Sequence, residues 1–370
     1  MTLVHAEVVR NIRNVAENNM KLENLGYNDF FESNRKKLAL EDFLIARVIA
    51  EYKGIYKIKD IDGEYLAKIT GKQIFNASSR EDYPAVGDWV AITKLGAEQA
   101  VINKILPRKT IIKRKYINKD DTQVIGTNID IAFVVESIDR DFNLNRFERY
   151  FAIANDGGVK CAIILNKIDL ISQEELDLKL TQIKDRFNDI DVISISTITN
   201  KGIDKLKGYI LKGKTYCFLG SSGVGKSSLI NKLLGEDIIK TEAISLHTGK
   251  GKHVTTNREM YFLENGGIVI DNPGMREVGM TDADAGIDSL FDEITALAIG
   301  CKYTDCTHIH EPGCEVLLAL KSGKINEKQY QNYINLKKEA EYYKMTKFQK
   351  REKDHKFGKF LKVAKKDMYE

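Results

Sequence analysis

The chain has 370 residues, 43% of them hydrophobic and 30% charged, with a formal net charge of +4. That length supports two or three domains, each with its own core, and the composition is that of a soluble globular protein. No apolar run approaches the roughly 20 residues of a membrane span, the polar N-terminus argues against a secretory signal, and so small a net charge does not by itself indicate a nucleic-acid partner.

In chain order, residues 1–41 show a weak amphipathic pattern (HAEVVRNIRNVAEN) and are read as an N-terminal extension with no assigned role. From 42 to 115 the texture becomes short alternating segments, RVIAEYKGIYKIKDI, EYLAKIT and DWVAITKL, broken by Gly, Asp and Asn. That is strand-and-turn chemistry. Four or five strands in this length predict a small closed barrel of the OB type, either purely structural or carrying an RNA-binding surface. Trp89 and Tyr83 are read as core or corner residues rather than base-stacking platforms.

From 116 to 281 the pattern lengthens. IDIAFVVES, VKCAIILN, DVISIS and TYCFLG are buried strands, and NRFERYFAIANDGG, EELDLKLTQIKDRF and IDKLKGYIL are the helices between them. Such alternation predicts a parallel sheet covered on both faces. Cys161 and Cys217 lie inside two of these apolar runs and are read as inert strand thiols. Residues 282–370 form a helical region with a Cys/His knot and a lysine-dominated tail. The fold class is therefore multidomain α/β: a barrel, a nucleotide-type α/β domain and a C-terminal helical metal-binding domain.

The chemistry sits at strand ends. GSSGVGKS at 220–227 fits the phosphate-loop pattern GxxxxGK(S/T) between a strand and a helix. Backbone N–H groups of Gly220, Ser221, Ser222, Gly223, Val224, Gly225, Lys226, Ser227 and Ser228 would turn inward around phosphates. Lys226 would neutralise the β- and γ-phosphates, and the Ser227 hydroxyl would ligate Mg2+. NKID at 166–169 follows another apolar strand. The Asp169 carboxylate can accept from both guanine N1–H and the 2-amino group, a donor pair adenine lacks. Lys167 would pack over the base plane while Asn166 ties neighbouring loops together. SIST at 194–197 loosely matches the loop that contacts guanine O6, with Ser196 and Thr197 in that place.

DNPG at 271–274 fits the DxxG switch, with Asp271 on the Mg2+ shell and the Gly274 N–H sensing the γ-phosphate. Between the two motifs lies GKGKHVTT at 249–256, basic and threonine-rich, from which Thr255 is taken as the second magnesium hydroxyl. Met275 stands where Ras-like enzymes place a water-orienting Gln, so His253 is the candidate for that task. The base-reading motifs precede the phosphate loop, the reverse of the usual order, so the domain is circularly permuted. Permutation preserves a site when domain termini lie close together.

Within CKYTDCTHIHEPGC, Cys301, Cys306, His308, His310 and Cys314 offer more than the four N/S donors that a structural Zn2+ requires. An odd cysteine count with a local cluster indicates a metal and a reducing compartment, not a disulfide framework. The tail KKEAEYYKMTKFQKREKDHKFGKFLKVAKK mixes positive charge with Tyr and Phe, which suits RNA phosphates and stacked bases.

Taken in this order, DYPAVGDWV, NKIDL, GSSGVGKSSLIN, GKGKHVTT, DNPGMREVG and CKYTDCTHIHEPGCEV resemble the RsgA (YjeQ) family of ribosome-associated, circularly permuted GTPases over residues 42 to 340. The resemblance implies an OB barrel, a permuted GTPase domain binding GTP or GDP with Mg2+, and one structural Zn2+ held by Cys301, Cys306, His308 and Cys314. It also implies a role in late assembly of the small ribosomal subunit, with hydrolysis stimulated by that subunit and its rRNA as partner. A cytoplasmic monomer is expected. Two departures stand out. His253-Val254-Thr255 replaces the family's HTT, and the start of the chain exceeds the family's usual length. The competing readings are a nucleotide-gated RNA-binding module with incidental turnover, and a small-molecule P-loop kinase or ATPase, against which NKID argues.

Overall fold

The computed structural model describes residues 20–52, 54–115, 122–139, 142–239, 258–271 and 283–346, with scattered positions up to 355. Residues 1–19, the switch residues His253, Thr255, Gly274 and Met275, and the basic tail from 356 onward lie outside the described residues. Contacts divide the chain into two units, Met1–Lys113 with Gln123–Glu277, and Arg114–Thr122 with Val278–Glu370.

The first unit opens with a 3-10 turn, Leu22–Leu25, and helix α1 (Asp29–Lys37). Asn28 caps α1 by accepting from the Phe30 N–H at 3.1 Å, and acidic Asp29 and Glu32 in the first turn oppose basic Arg35, Lys36 and Lys37 in the last. Both devices suit the orphan donors and dipole of a short helix. What holds the segment is apolar: Leu25, Tyr27, Phe31 and Leu40 bury themselves around Trp89. Tyr27 meets the indole edge-on with centroids 4.8 Å apart, a pairing that adds about 1 kcal/mol to the area buried. Trp89 is fully buried, a core residue as read from the sequence.

The barrel follows: β1 (Leu44–Tyr52), β2 (Ile55–Lys59), β3 (Glu64–Ile69), helix α2 (Gly71–Asn76), β4 (Trp89–Lys94) and β5 (Gln99–Ile105). Pairing runs β1–β2–β3–β5–β4 and closes through β4–β1. The β3–β5 pair is parallel and the remaining pairs are antiparallel. This is the five-stranded OB topology. Alternate residues turn inward, as the period of a strand requires: Ala46, Val48, Tyr56, Ile58, Tyr65, Ala67, Val90 and Ile92 fill the interior.

After a two-stranded ladder of β6 (Ile111–Lys115) and β7 (Thr122–Thr127), the nucleotide half is built from β8 (Ile131–Ser137), α3 (Leu144–Asp156), β9 (Lys160–Asn166), α4 (Gln173–Arg186), β10 (Val192–Ser194), α5 (Ile203–Tyr209), β11 (Thr215–Leu219), α6 (Lys226–Leu234), β12 (Glu259–Phe262) and β13 (Ile268–Asp271). Its strand order is β10-β9-β8-β11-β13-β12, with parallel pairs throughout except β12–β13. Helices on both faces explain why β8, β9 and β11 are almost unbroken apolar runs. Phe133, Val135, Ile164, Phe218, Val224 and Leu229 lie at the centre of one packed layer. At its edge, β12 pairs antiparallel with β1 of the barrel, Glu259 opposite Ala50. Barrel and nucleotide half thus share one eleven-stranded sheet.

The second unit contains α7 (Asp284–Leu290), α8 (Asp292–Ala298), α9 (Glu315–Lys321) and α10 (Glu327–Lys344). Ile287, Phe291, Ile294, Tyr333 and Ala340 are buried in it, and Lys337 pairs with Asp288 on α7 at 2.6 Å. The Cys/His segment fills the connection between α8 and α9. Among the described residues, no helix is long and apolar enough to cross a membrane.

Candidate functional site

Because β9, β8, β11 and β13 run parallel, their carboxyl ends lie along one edge of the sheet, the usual position for a ligand in an open α/β sheet. Strand β11 delivers the chain into the loop 220–225, and α6 begins at Lys226. Two glycines make the turn possible. Gly220 has φ +146, and a Cβ there would come within 2.2 Å of the Val135 carbonyl; Gly225 has φ +95, and a Cβ there would come within 2.3 Å of Asn166 Nδ2. Both positions demand a left-handed or crowded backbone that glycine alone tolerates.

Lys226 folds back over the loop, its Nζ donating to the carbonyls of Gly220 and Ser221 at 2.6 Å each. Burial lowers its pKa to about 8, opposed by the nearby carboxylates of Asp271 and Glu136. Asp271 ends β13, next to β11 in the sheet, so the sheet brings these two predicted residues together. Ser221, Ser227 and Ser228 are half-buried, Ser222 and Gly223 are exposed, and Val224 is buried. Tyr150 on α3 is buried, and burial raises its pKa, a shift opposed by Ser221 of the loop.

The NKID segment emerges from β9. Asn166 is fully buried; its Nδ2 donates to the Val224 carbonyl at 2.8 Å, and its Oδ1 accepts from the Lys167 N–H at 2.8 Å. One amide side chain thereby joins the base-motif loop to the phosphate loop. Lys167 sits in the left-handed region at φ +63, and Asp169 is exposed in the 3-10 turn Ile168–Leu170. The Ile168 N–H donates to the Ile195 carbonyl at 3.3 Å, placing the segment 194–197 alongside. There the buried Ser196 hydroxyl accepts from the N–H groups of Ile198 and Thr199 at 3.2 and 3.0 Å, a serine turn that sets the loop's shape, and Thr197 is half-buried.

In the second unit, the ligand atoms of Cys301, Cys306, His308 and Cys314 lie within 4.8 Å of one another. Cys301 Sγ is 3.8 Å from Cys314 Sγ and 3.6 Å from His308 Nδ1, and His308 Nδ1 is 3.4 Å from Cys314 Sγ. A tetrahedron with metal–sulfur bonds of about 2.3 Å has sulfur–sulfur edges of about 3.8 Å, so the donor set is compatible with one zinc ion. His310 is not part of the cluster. The segment is braced from outside by Glu311, whose carboxylate accepts from Thr307, Ile309 and His310 N–H groups, and by the Tyr330 hydroxyl donating to the His308 carbonyl at 2.7 Å. The strand thiols Cys161 and Cys217 behave differently: burial pushes the first up to about 12 and the second higher still.

A phosphate loop on a central strand, an NKxD segment two strands away and the inverted chain order of the two define a circularly permuted P-loop GTPase. A family model described as RsgA GTPase matches residues 105–281. The chain is 41% identical over 299 residues to the small ribosomal subunit biogenesis GTPase RsgA 2 of Lactiplantibacillus plantarum, covering 81% of this chain and 84% of that one. It is 36% identical over 355 residues to RsgA 1 of Bacteroides thetaiotaomicron, covering 95% and 99%. Among solved structures it is similar to YjeQ from Thermotoga maritima, at 25% identity and a TM-score of 0.59 over 80% of this chain and 98% of that one. It also shares the fold of YloQ, described as a circularly permuted GTPase, with a TM-score of 0.58 over 82% and 97%. The chain belongs to the RsgA family of GTPases.

Sequence reasoning left two contributors to this edge unnamed. Glu136, fully buried at the end of β8, and Asp139, just beyond it, both lie among the motifs. The lone carboxylate in a strand otherwise reading IAFVV was the available signal for Glu136, because a buried strand end accepts a carboxylate when a partner meets it.

Proposed function

We propose that this protein hydrolyses GTP as a switch that engages the small ribosomal subunit and acts late in that subunit's assembly, with the subunit stimulating hydrolysis. The observation that carries the reading is the Asn166–Val224 hydrogen bond. It couples a loop suited to guanine to a loop suited to phosphates, so one nucleotide can bridge both. Asp169 reads the guanine edge, the 195–198 turn borders the base, and residues 220–228 cradle the phosphates with Lys226 as countercharge. Ser227, Thr255 and Asp271 hold Mg2+, a divalent charge that steadies the phosphates; Gly274 senses the γ-phosphate and His253 orients water. Cys301, Cys306, His308 and Cys314 hold one structural Zn2+. Relatives named small ribosomal subunit biogenesis GTPases support the partner, and the lysine- and aromatic-rich tail supports an rRNA contact. The protein acts as a cytoplasmic monomer.

The test is turnover of GTP and ATP by purified protein, with and without isolated small subunits. Slow, GTP-selective hydrolysis that rises sharply with subunits is the expected result. Equal turnover of ATP removes the guanine assignment, and indifference to subunits removes the ribosomal one.

A further inference from the structure

Beside the base-motif loop, Ser137 and Asp139 form a short polar relay to Lys167, and neither of the two has been given a role above. β8 and β9 run parallel with Ser137 opposite Asn166, and the Ile138 N–H donates to the Asn166 carbonyl at 3.0 Å. The chain leaving β8 is thereby pinned against NKID. Immediately after it, the Ser137 hydroxyl, 1% exposed as a residue, donates to Asp139 Oδ1 at 2.6 Å. The other oxygen of the same carboxylate, Oδ2, meets Lys167 Nζ at 3.4 Å. Lys167 is in turn fixed at its backbone by the Asn166 side chain. Both ends of this lysine are therefore anchored, leaving its methylene stem stretched between them.

We infer that Asp139 is a positioning residue for the nucleotide: held by Ser137, it pins the Lys167 ammonium so that the stem presents an ordered apolar face to the guanine ring. This rests on the reading of 166–169 as the guanine loop. A free lysine side chain surrenders rotamer freedom when it is ordered. A lysine already held loses less on binding, which is preorganisation. The γ-phosphate plays no part in the relay, so GDP and GTP benefit alike.

The experiment measures GDP and GTP dissociation constants by calorimetry for the full-length wild type, Asp139→Asn, Asp139→Glu and Ser137→Ala, and for Asp139→Asn combined with Lys167→Met. The ion pair is partly exposed, at 23% and 31% of the side chains, so its loss should weaken binding by about three- to fivefold. Asp139→Asn should show that loss equally for both nucleotides and in KM more than in kcat. Asp139→Glu should restore affinity to within about twofold, Ser137→Ala should lose about twofold, and Asp139→Asn should have no effect once Lys167 is Met. Wild-type affinity in Asp139→Asn, or the same loss persisting without Lys167, overturns the inference. Asp169→Asn serves as the control. If it fails to move selectivity toward xanthine nucleotides, the guanine reading itself falls; if it does move it while Asp139→Asn is silent, only the role of Asp139 is lost.

Discussion

Arg47 on the barrel donates from Nη2 to the hydroxyl of Thr215, 2.9 Å away across 168 positions of sequence. Thr215 opens β11, the strand that carries the phosphate loop. The same guanidinium also donates to the carbonyls of Leu25, Gly87 and Asn128, so one buried side chain joins the N-terminal segment, the barrel and the foot of the central strand. It is 1% exposed, and burial lowers its pKa to about 10 against the pull of Asp130 and Asp88.

Removing Arg47 strands several buried acceptors, each worth about 1–3 kcal/mol when left unpaired, and relieves the desolvation of one charge. Arg47→Met should therefore cost about 3 kcal/mol of stability, read as a lower urea midpoint. Arg47→Lys should recover little, since an ammonium lacks the planar fork that reaches separate carbonyls.

Gly225→Ala should abolish useful nucleotide binding while leaving the fold intact. Its backbone is left-handed and its new methyl would strike Asn166, breaking the link between the two loops. Strain of about 3 kcal/mol corresponds to about a 100-fold loss of affinity. Calorimetry beside a thermal melt separates a binding defect from misfolding, and retained affinity would mean the loop is free to rearrange.

Asp169→Asn should lower the GTP-over-XTP preference by roughly 10³-fold or more, because the amide repels one of the two guanine donors and pairs with xanthine instead. Competition binding with both nucleotides measures it.

Metal analysis of the purified protein should find one zinc per chain. His308→Ala and Cys314→Ser should lose it, while His310→Ala keeps it, because His310 lies outside the cluster. Chelation should render the helices around the knot sensitive to trypsin, since structural zinc contributes folding energy directly. Zinc retained in His308→Ala would transfer the fourth ligand to His310.

Trp89 is the sole tryptophan, which makes the barrel's lower core self-reporting. Deleting residues 1–41 should red-shift its emission and lower the melting temperature, as Leu25, Tyr27, Phe31 and Leu40 leave its face.

The last case marks where the sequence was legible and where it was not. Strands β8, β9 and β11 were readable because burial on both faces forces long apolar runs, and the loops after them because phosphate and guanine chemistry admit few residue types. The barrel was readable from alternation, as in Tyr56 and Ile58 turned inward on β2. Residues 20–41 were not. Leu25, Tyr27 and Phe31 follow no single period, since a 3-10 turn, an extended step and a helix each contribute to one apolar face. Arg47 was equally hidden, because its four acceptors are backbone or hydroxyl groups whose convergence is a property of the fold. The Asp139–Lys167 pair was missed for the same reason: nothing local says that the end of β8 meets the loop after β9.

The pairing of Ala50 with Glu259 also bears on how the protein can be cut. Within the nucleotide half β10 and β12 are the two outer strands, and an outer strand with bare N–H and C=O groups recruits other chains. Here β1 of the barrel meets the β12 rim at one residue pair, Ala50 opposite Glu259. A fragment starting after the barrel would keep every nucleotide motif named above yet lose the strand that meets β12, and it should self-associate more readily than the full chain, read by light scattering.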